Sequence, residues 1–197
     1  MKADAEARVC EANLVALQAG FNNCVMDESM SDCLDTAGQP FLTNIALGNL
    51  KTISCPSDLG SPVKVLGASS YGYNSALGDL SYKQYQRMPS DLIIIGDCES
   101  TTFSLLDSDR TIPLVKRHTK YELTGSKTIF ALAVTKATRP GVDKGKRIKK
   151  ITDLNESCHA GYQNCLANWF DSNKNADPIT SPYSSCLPDP ECSSDYQ

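Results

Sequence analysis

A helical stripe near the start of the chain constrains its fold most. Cys10, Leu14, Leu17, Phe21 and Cys24 follow one another at spacings of four, three, four and three, which puts all five on one face of an α-helix. Ala3, Ala5, Ala7, Ala12, Ala16 and Ala19 add helix propensity around the stripe. The pattern predicts a helix over residues 2 to about 29, about 40 Å long at the usual helical rise. A helix that long with one apolar face needs a broad surface, and a sheet laid across it supplies one.

The rest of the chain offers that sheet. Residues 30–62 read as irregular, with Gly38-Gln39-Pro40 and Cys55-Pro56-Ser57-Asp58 as breaks. Short strand candidates follow at Val63–Val65 and Tyr71–Tyr73. The strongest strand is Leu92-Ile93-Ile94-Ile95, an apolar run bounded by Asp91 and Gly96-Asp97, as a buried central strand would be. Thr101–Leu106, Ile112–Val115 and Lys127–Thr135 complete the set. A long helix followed by strands at hairpin spacing predicts an α+β fold, the helix packed on an antiparallel sheet spanning about residues 63–135.

Charge divides the 197 residues into three: residues 1–135 carry net −4, residues 136–150 net +6 and residues 151–197 net −6. These read as a globular domain, a basic connector, and an acidic, cysteine-rich tail. The tail holds a second helix over 151–170, with Cys158, Tyr162, Cys165, Leu166 and Trp169 on one face, and then coil. The total of −4 argues against a nucleic-acid partner. There is no apolar run of membrane-spanning length and no signal-peptide pattern.

Nine cysteines are many for a cytosolic chain. No Cys-x-x-Cys pair occurs and only two histidines are present, so zinc-ribbon, thioredoxin-type and His-rich metal sites lose support. Disulfides in an oxidising compartment remain, with Cys10, Cys24, Cys33, Cys55, Cys98, Cys158, Cys165, Cys186 and Cys192 as candidates. An odd number leaves at least one unpaired within the chain. Cys10 and Cys24 lie about 21 Å apart along one helix and cannot bond each other; Cys158 and Cys165, two turns apart, cannot either. Cys24 with Cys33 and Cys186 with Cys192 are the shortest local closures.

Several motifs then form a familiar series. Ala5-Glu6-Ala7-Arg8-Val9-Cys10-Glu11-Ala12-Asn13-Leu14 is followed by Cys55-Pro56-Ser57-Asp58, Tyr71-Gly72-Tyr73-Asn74, Pro89-Ser90 with the strand ending at Asp97, and Arg117-His118. In order and spacing, residues 3–135 resemble bacterial pilin-like proteins of the type II secretion pseudopilin and type IV pilin group, in the set whose signature is His followed about nine residues later by Asp-Gly. This chain has no Asp-Gly after His118. The resemblance implies a structural subunit that joins others in a filament. It also implies an apolar, membrane-anchoring half of the helix upstream of Lys2, absent from this sequence, and an extracytoplasmic location, periplasmic or at the cell surface.

No catalytic constellation stands out, and a non-enzymatic role is expected. Cys158 and His159 are adjacent, so on a helix they point about 100° apart. Asp107 and Asp109 sit in a sequence that makes a turn. Asp171, Asn173, Asn175 and Asp177 place oxygen side chains at alternate positions, as calcium loops do, but the loop glycine and the closing glutamate are missing. A solvated turn is the preferred reading and calcium the alternative; no other cofactor is expected. The basic run Lys136, Arg139, Lys144, Lys146, Arg147, Lys149 and Lys150 reads as a solvated linker, or as a patch that pairs with an acidic surface. The function expected is thus a pilin or pseudopilin. The alternative is a binding module at a filament tip, with residues 151–197 as its adhesive part.

Overall fold

The structure is a computed structural model; it describes residues 2–26, 50–58, 69–77, 80–106, 111–121, 123–136, 148–152, 154, 158–176 and 183–186. The first helix, α1, runs Lys2–Met26 and buries Ala7, Cys10, Leu14, Leu17, Phe21 and Cys24, the expected stripe, together with Gln18 and Val25. It lies across three strands: β2 (Ile93–Asp97), β4 (His118–Tyr121) and β5 (Lys127–Thr135). Burying Leu14, Leu17 and Phe21 contributes about 2 kcal/mol each. Gln18, in the same buried face, donates its amide to the Thr135 carbonyl, so α1 is also hydrogen-bonded to the sheet.

The sheet has six strands, with β1 (Tyr71–Asn74), β3 (Thr102–Phe103) and β6 (Ile148–Ile151) completing it. Its order is β3-β1-β2-β5-β4, and β6 also pairs with β5. Every residue of β2 is buried, as the apolar run required. The expected antiparallel sheet is in fact mixed. β1 pairs antiparallel with β2, but its other neighbour, β3, runs parallel to it. A parallel neighbour needs a crossover connection rather than a tight turn, and residues 75–101 provide it through α2 (Tyr82–Arg87) and β2. Ser81 starts α2 with a capping box: its hydroxyl accepts from the Gln84 N–H while the Gln84 side chain accepts from the Ser81 N–H.

Two strand expectations change. Ile112–Val115 forms no strand; Pro113 has no N–H to give to a ladder, although Ile112 and Leu114 still point inward. The strand in this region is β4, paired residue for residue with the first half of β5, from His118 opposite Phe130 to Tyr121 opposite Lys127. Gly125, at φ 79°, makes the turn between them. The expectations for Gly38–Pro40, Val63–Val65 and Asp107–Asp109 fall outside the described residues.

The basic segment is not wholly a linker, because its end forms β6, whose Ile148–Ile151 pair with Val134–Ala131. The second helix, α3, consequently starts later than expected and spans Cys158–Asn173. Its most buried face carries Gln163, Leu166, Ala167 and Phe170, while Cys165 and Trp169 are only partly buried. Gln163 fixes this helix to the start of β2. Its side-chain oxygen accepts from the Ile93 N–H at 2.9 Å and its amide donates to the Asp91 carbonyl at 2.8 Å. One amide side chain thereby takes the place of a neighbouring strand.

Candidate functional site

The densest buried polar cluster lies where α1 crosses the sheet. Asp97 arrives at the end of β2 and His118 at the start of β4, and both side chains are fully buried. His118 Nε2 stands 3.0 Å from Asp97 Oδ2. The same carboxylate oxygen accepts from the Leu132 N–H of β5 at 2.7 Å. Arg117, next in sequence to His118, turns to the rim. Its guanidinium donates to Asp58 Oδ2 at 3.0 Å, to the Ser70 carbonyl at 3.1 Å and to the Cys98 carbonyl at 3.2 Å. Its Nε lies 3.9 Å from Asp97 Oδ1. The planar fork of arginine suits such divergent acceptors, where a lysine could satisfy fewer.

The turn at residues 54–58 closes the cluster from the side. Ser70 Oγ donates to Asp58 at 2.8 Å and accepts from the Cys55 N–H at 2.9 Å. Cys55 is bonded to Cys10 of α1, with Cα atoms 5.3 Å apart. Asn13, on the next turn of α1, donates to the Ser54 carbonyl at 2.9 Å and to the Tyr71 hydroxyl at 3.3 Å. Burial, first of all, pushes the Tyr71 phenol well above its ordinary range. A covalent bond, an ionic network and a set of caps thus join α1, β1, β2, β4 and the 54–58 turn at one place.

Chemically this is not a nucleophilic triad. In such triads the acid and the nucleophile meet opposite nitrogens of the imidazole. Here the Cys55 sulfur, at 3.8 Å, and Asp97 both face Nε2, and the sulfur is already in a disulfide. Among the described residues neither His118 Nδ1 nor Asp97 Oδ1 has a hydrogen-bond partner.

The cysteines resolve in part. Besides Cys10–Cys55, Cys165 bonds Cys186 with Cα atoms 5.7 Å apart, so the expected Cys186–Cys192 closure does not form. The chain at 183–186 folds back onto α3 instead, and Tyr183 packs edge-on against Trp169 at 5.6 Å. Cys24 is also disulfide-bonded. Cys98 is free and buried; burial pushes its thiol up, and it donates to the Pro113 carbonyl at 3.4 Å. Cys33, Cys192 and the side chain of Cys158 lie outside the described residues.

The oxygen-rich stretch is not a separate loop, because Asp171 and Asn173 belong to the last turn of α3, and its described members make internal contacts. Asp171 pairs with Lys174 at 2.6 Å, Asn173 donates to the Trp169 carbonyl, and Asn175 accepts from Gln84 at 2.5 Å. Asp177 lies outside the described residues. All three described lysines of the basic run meet the body of the protein, Lys149 being buried in β6. Lys150 pairs with Glu11 of α1 at 3.2 Å. Lys136 donates to the carbonyls of Tyr85, Gln86 and Met88 and lies over the Tyr85 ring. Burial draws its ammonium down to about 8, while the three carbonyls and the ring face are what hold its charge.

No protein-family model, curated protein or solved structure matches this chain. Among the described residues no helix is long and apolar enough to cross a membrane.

Asp58, Asp97 and the Arg117-His118 pair stand in separate sequence motifs, and nothing in sequence alone brings them together. A buried charge requires a partner, so an Asp closing an apolar strand and an Arg-His pair before a polar strand were the available signals. Ser70 and Gln163 gave none, because serine and glutamine are unremarkable on any surface.

Proposed function

We propose that the chain is a structural subunit of a pilus-like or secretion filament, a pilin or pseudopilin, and not an enzyme. One observation carries this reading. The residues that form the sequence resemblance, Cys10, Asn13, Cys55, Asp58, Tyr71, Asp97, Arg117 and His118, meet in a single cluster that fastens the long helix to the sheet. A filament subunit that transmits load along a helix needs that joint to be rigid and needs no open chemistry there. The disulfides suit an oxidising, extracytoplasmic site of assembly. The partners in this reading are further copies of the chain and related subunits, and the membrane anchor is a helical segment outside this sequence.

The test is to follow the chain in its source cells with an antibody against it. A subunit is found in the membrane pool and in sheared filaments, with label repeated along them. Label at filament ends only would favour the tip-binding module with residues 151–197 as its adhesive part. A freely secreted monomer, absent from both pools, would overturn the filament reading.

A further inference from the structure

We propose that the Cys10–Cys55 pair, once reduced, becomes with His118 and Asp97 a tetrahedral site for a thiophilic divalent cation such as zinc. The cluster would then exist in two exclusive states, disulfide-closed and metal-closed. The inference is independent of the filament reading.

Geometry is the first support. The two sulfurs and an imidazole nitrogen of His118 lie within 4.8 Å of one another, and all three residues are buried. A tetrahedral centre with ordinary zinc bond lengths has a sulfur–nitrogen edge of about 3.5 Å and a nitrogen–oxygen edge of about 3.3 Å. The corresponding separations here are 3.8 Å from Cys55 Sγ to His118 Nε2 and 3.0 Å from His118 Nε2 to Asp97 Oδ2. Breaking the disulfide releases the sulfur–sulfur edge, and the Asp97 carboxylate, which lies outside the group of three donors that already converge, must move toward the sulfurs. The four donors come from α1, the 54–58 turn, β4 and β2, which the rest of the fold holds in place.

Charge is the second support. Two thiolates, one carboxylate and a divalent cation leave a single negative charge, which faces the Arg117 guanidinium at 3.9 Å while that group also pairs with Asp58 at 3.0 Å. The disulfide state also leaves His118 Nδ1 without a hydrogen-bond partner among the described residues. Metal binding needs the neutral imidazole with its proton on Nδ1 and its lone pair on Nε2. That change of tautomer breaks no hydrogen bond at Nδ1. Ser54 and Pro56, on either side of Cys55, are exposed, so the pair lies under a surface turn.

The step balances as follows. A phosphine or dithiol reductant supplies two electrons, two protons are taken up, and the sulfur–sulfur bond gives two thiols. The cation then binds both as thiolates and releases two protons to solvent.

The experiment uses the full chain, reduced anaerobically with a phosphine in the absence of denaturant and titrated with cobalt(II) as the probe. The expected result is stoichiometric binding with thiolate-to-cobalt absorption in the near ultraviolet and strong tetrahedral bands in the visible. Cys165→Ser should leave these bands unchanged, which separates this pair from the other disulfide. Asp97→Asn should weaken binding at least tenfold. His118→Gln keeps the disulfide, so its fold can be verified before reduction, and it should lose the visible bands. The inference is overturned if reduced wild-type protein shows no cobalt–thiolate absorption. It is equally overturned if the bands survive in His118→Gln, or if the folded chain keeps its Cys10–Cys55 bond under the reductant.

Discussion

His118 Nε2 and Asp97 Oδ2 meet at 3.0 Å with both side chains wholly out of water. Neither residue sits on the long helix, yet the Cys10–Cys55 bond that ties the helix down lies against the same imidazole nitrogen. A buried carboxylate and a buried imidazole are each costly alone. Together with Arg117 and the Leu132 N–H they share that cost.

Replacing one partner of this network should therefore cost far more than its contact area suggests. Asp97→Leu leaves His118 and the Leu132 N–H unpaired and removes a carboxylate that faces Arg117; the expected loss is about 3 kcal/mol. Urea unfolding with an unchanged m-value measures it. A loss below about 0.5 kcal/mol, the range of ordinary surface changes, would mean that the network does not hold the joint.

Gly72 and Gly96 face each other across β1 and β2, but they should not be equally replaceable. A Cβ on Gly72 would lie 2.5 Å from the Ser100 carbonyl oxygen, a backbone atom that cannot step aside. A Cβ on Gly96 would meet the end of the Leu114 side chain at 2.9 Å, which can rotate. Gly96→Ala should cost about 1 kcal/mol and Gly72→Ala about 3 kcal/mol or more. Thermal unfolding of the two variants checks the order; equal costs would contradict it.

The helix and the central strand were legible because each is written in one stretch of sequence. The 3-4-3 stripe needs no knowledge of its partner, and neither does Leu92–Ile95. The strand pairing was not legible. β3 has only two residues, and its parallel direction depends on how residues 75–101 cross over. β6 was hidden in a run of lysines because each of its faces carries one isoleucine and one lysine, Ile148 with Lys150 and Ile151 with the buried Lys149. The Asp97–His118 contact joins positions 21 apart on strands that are not sequence neighbours in the sheet, and Cys10–Cys55 spans 45. Cysteine identity narrowed the pairing by excluding bonds along one helix, but only the register of α1 over the sheet chose Cys55.

The Tyr85 hydroxyl donates to Asn22 Oδ1 at 2.5 Å, and burial, the main cause, pushes its phenol from 10 up to about 12. Between those values the folded chain keeps a proton that the unfolded chain loses, so this stability is present below pH 10 and lost as pH rises toward 12. Tyr85→Phe should flatten the stability profile in that window and cost about 1 kcal/mol at neutral pH for the lost hydrogen bond. A profile in that window as steep as the wild type's would assign the effect to other tyrosines.

Gln163 substitutes for a strand at the start of β2, so its removal should act at a distance from α3. Gln163→Ala leaves the Ile93 N–H and the Asp91 carbonyl without the partners that now bury them, at an expected cost of about 2 kcal/mol. The specific sign is faster hydrogen exchange at Ile93 than at Ile95, whose strand pairing is untouched. Uniform acceleration along β2 would point to general loosening instead.

The two defined disulfides differ in the length of chain they close, 45 residues for Cys10–Cys55 and 21 for Cys165–Cys186. Loop-closure entropy alone gives about 4 and about 3 kcal/mol respectively. The difference should widen in the variants. Cys10→Ser with Cys55→Ser places two hydroxyls in a fully buried site beside His118, whereas Cys165 is only partly buried. The first double variant should lower the melting temperature more and free α1 to exchange its amides early. The second should leave α1 protected and loosen residues 183–186. If both variants destabilise equally and neither exposes α1, the Cys10–Cys55 bond is not what ties the long helix to the sheet.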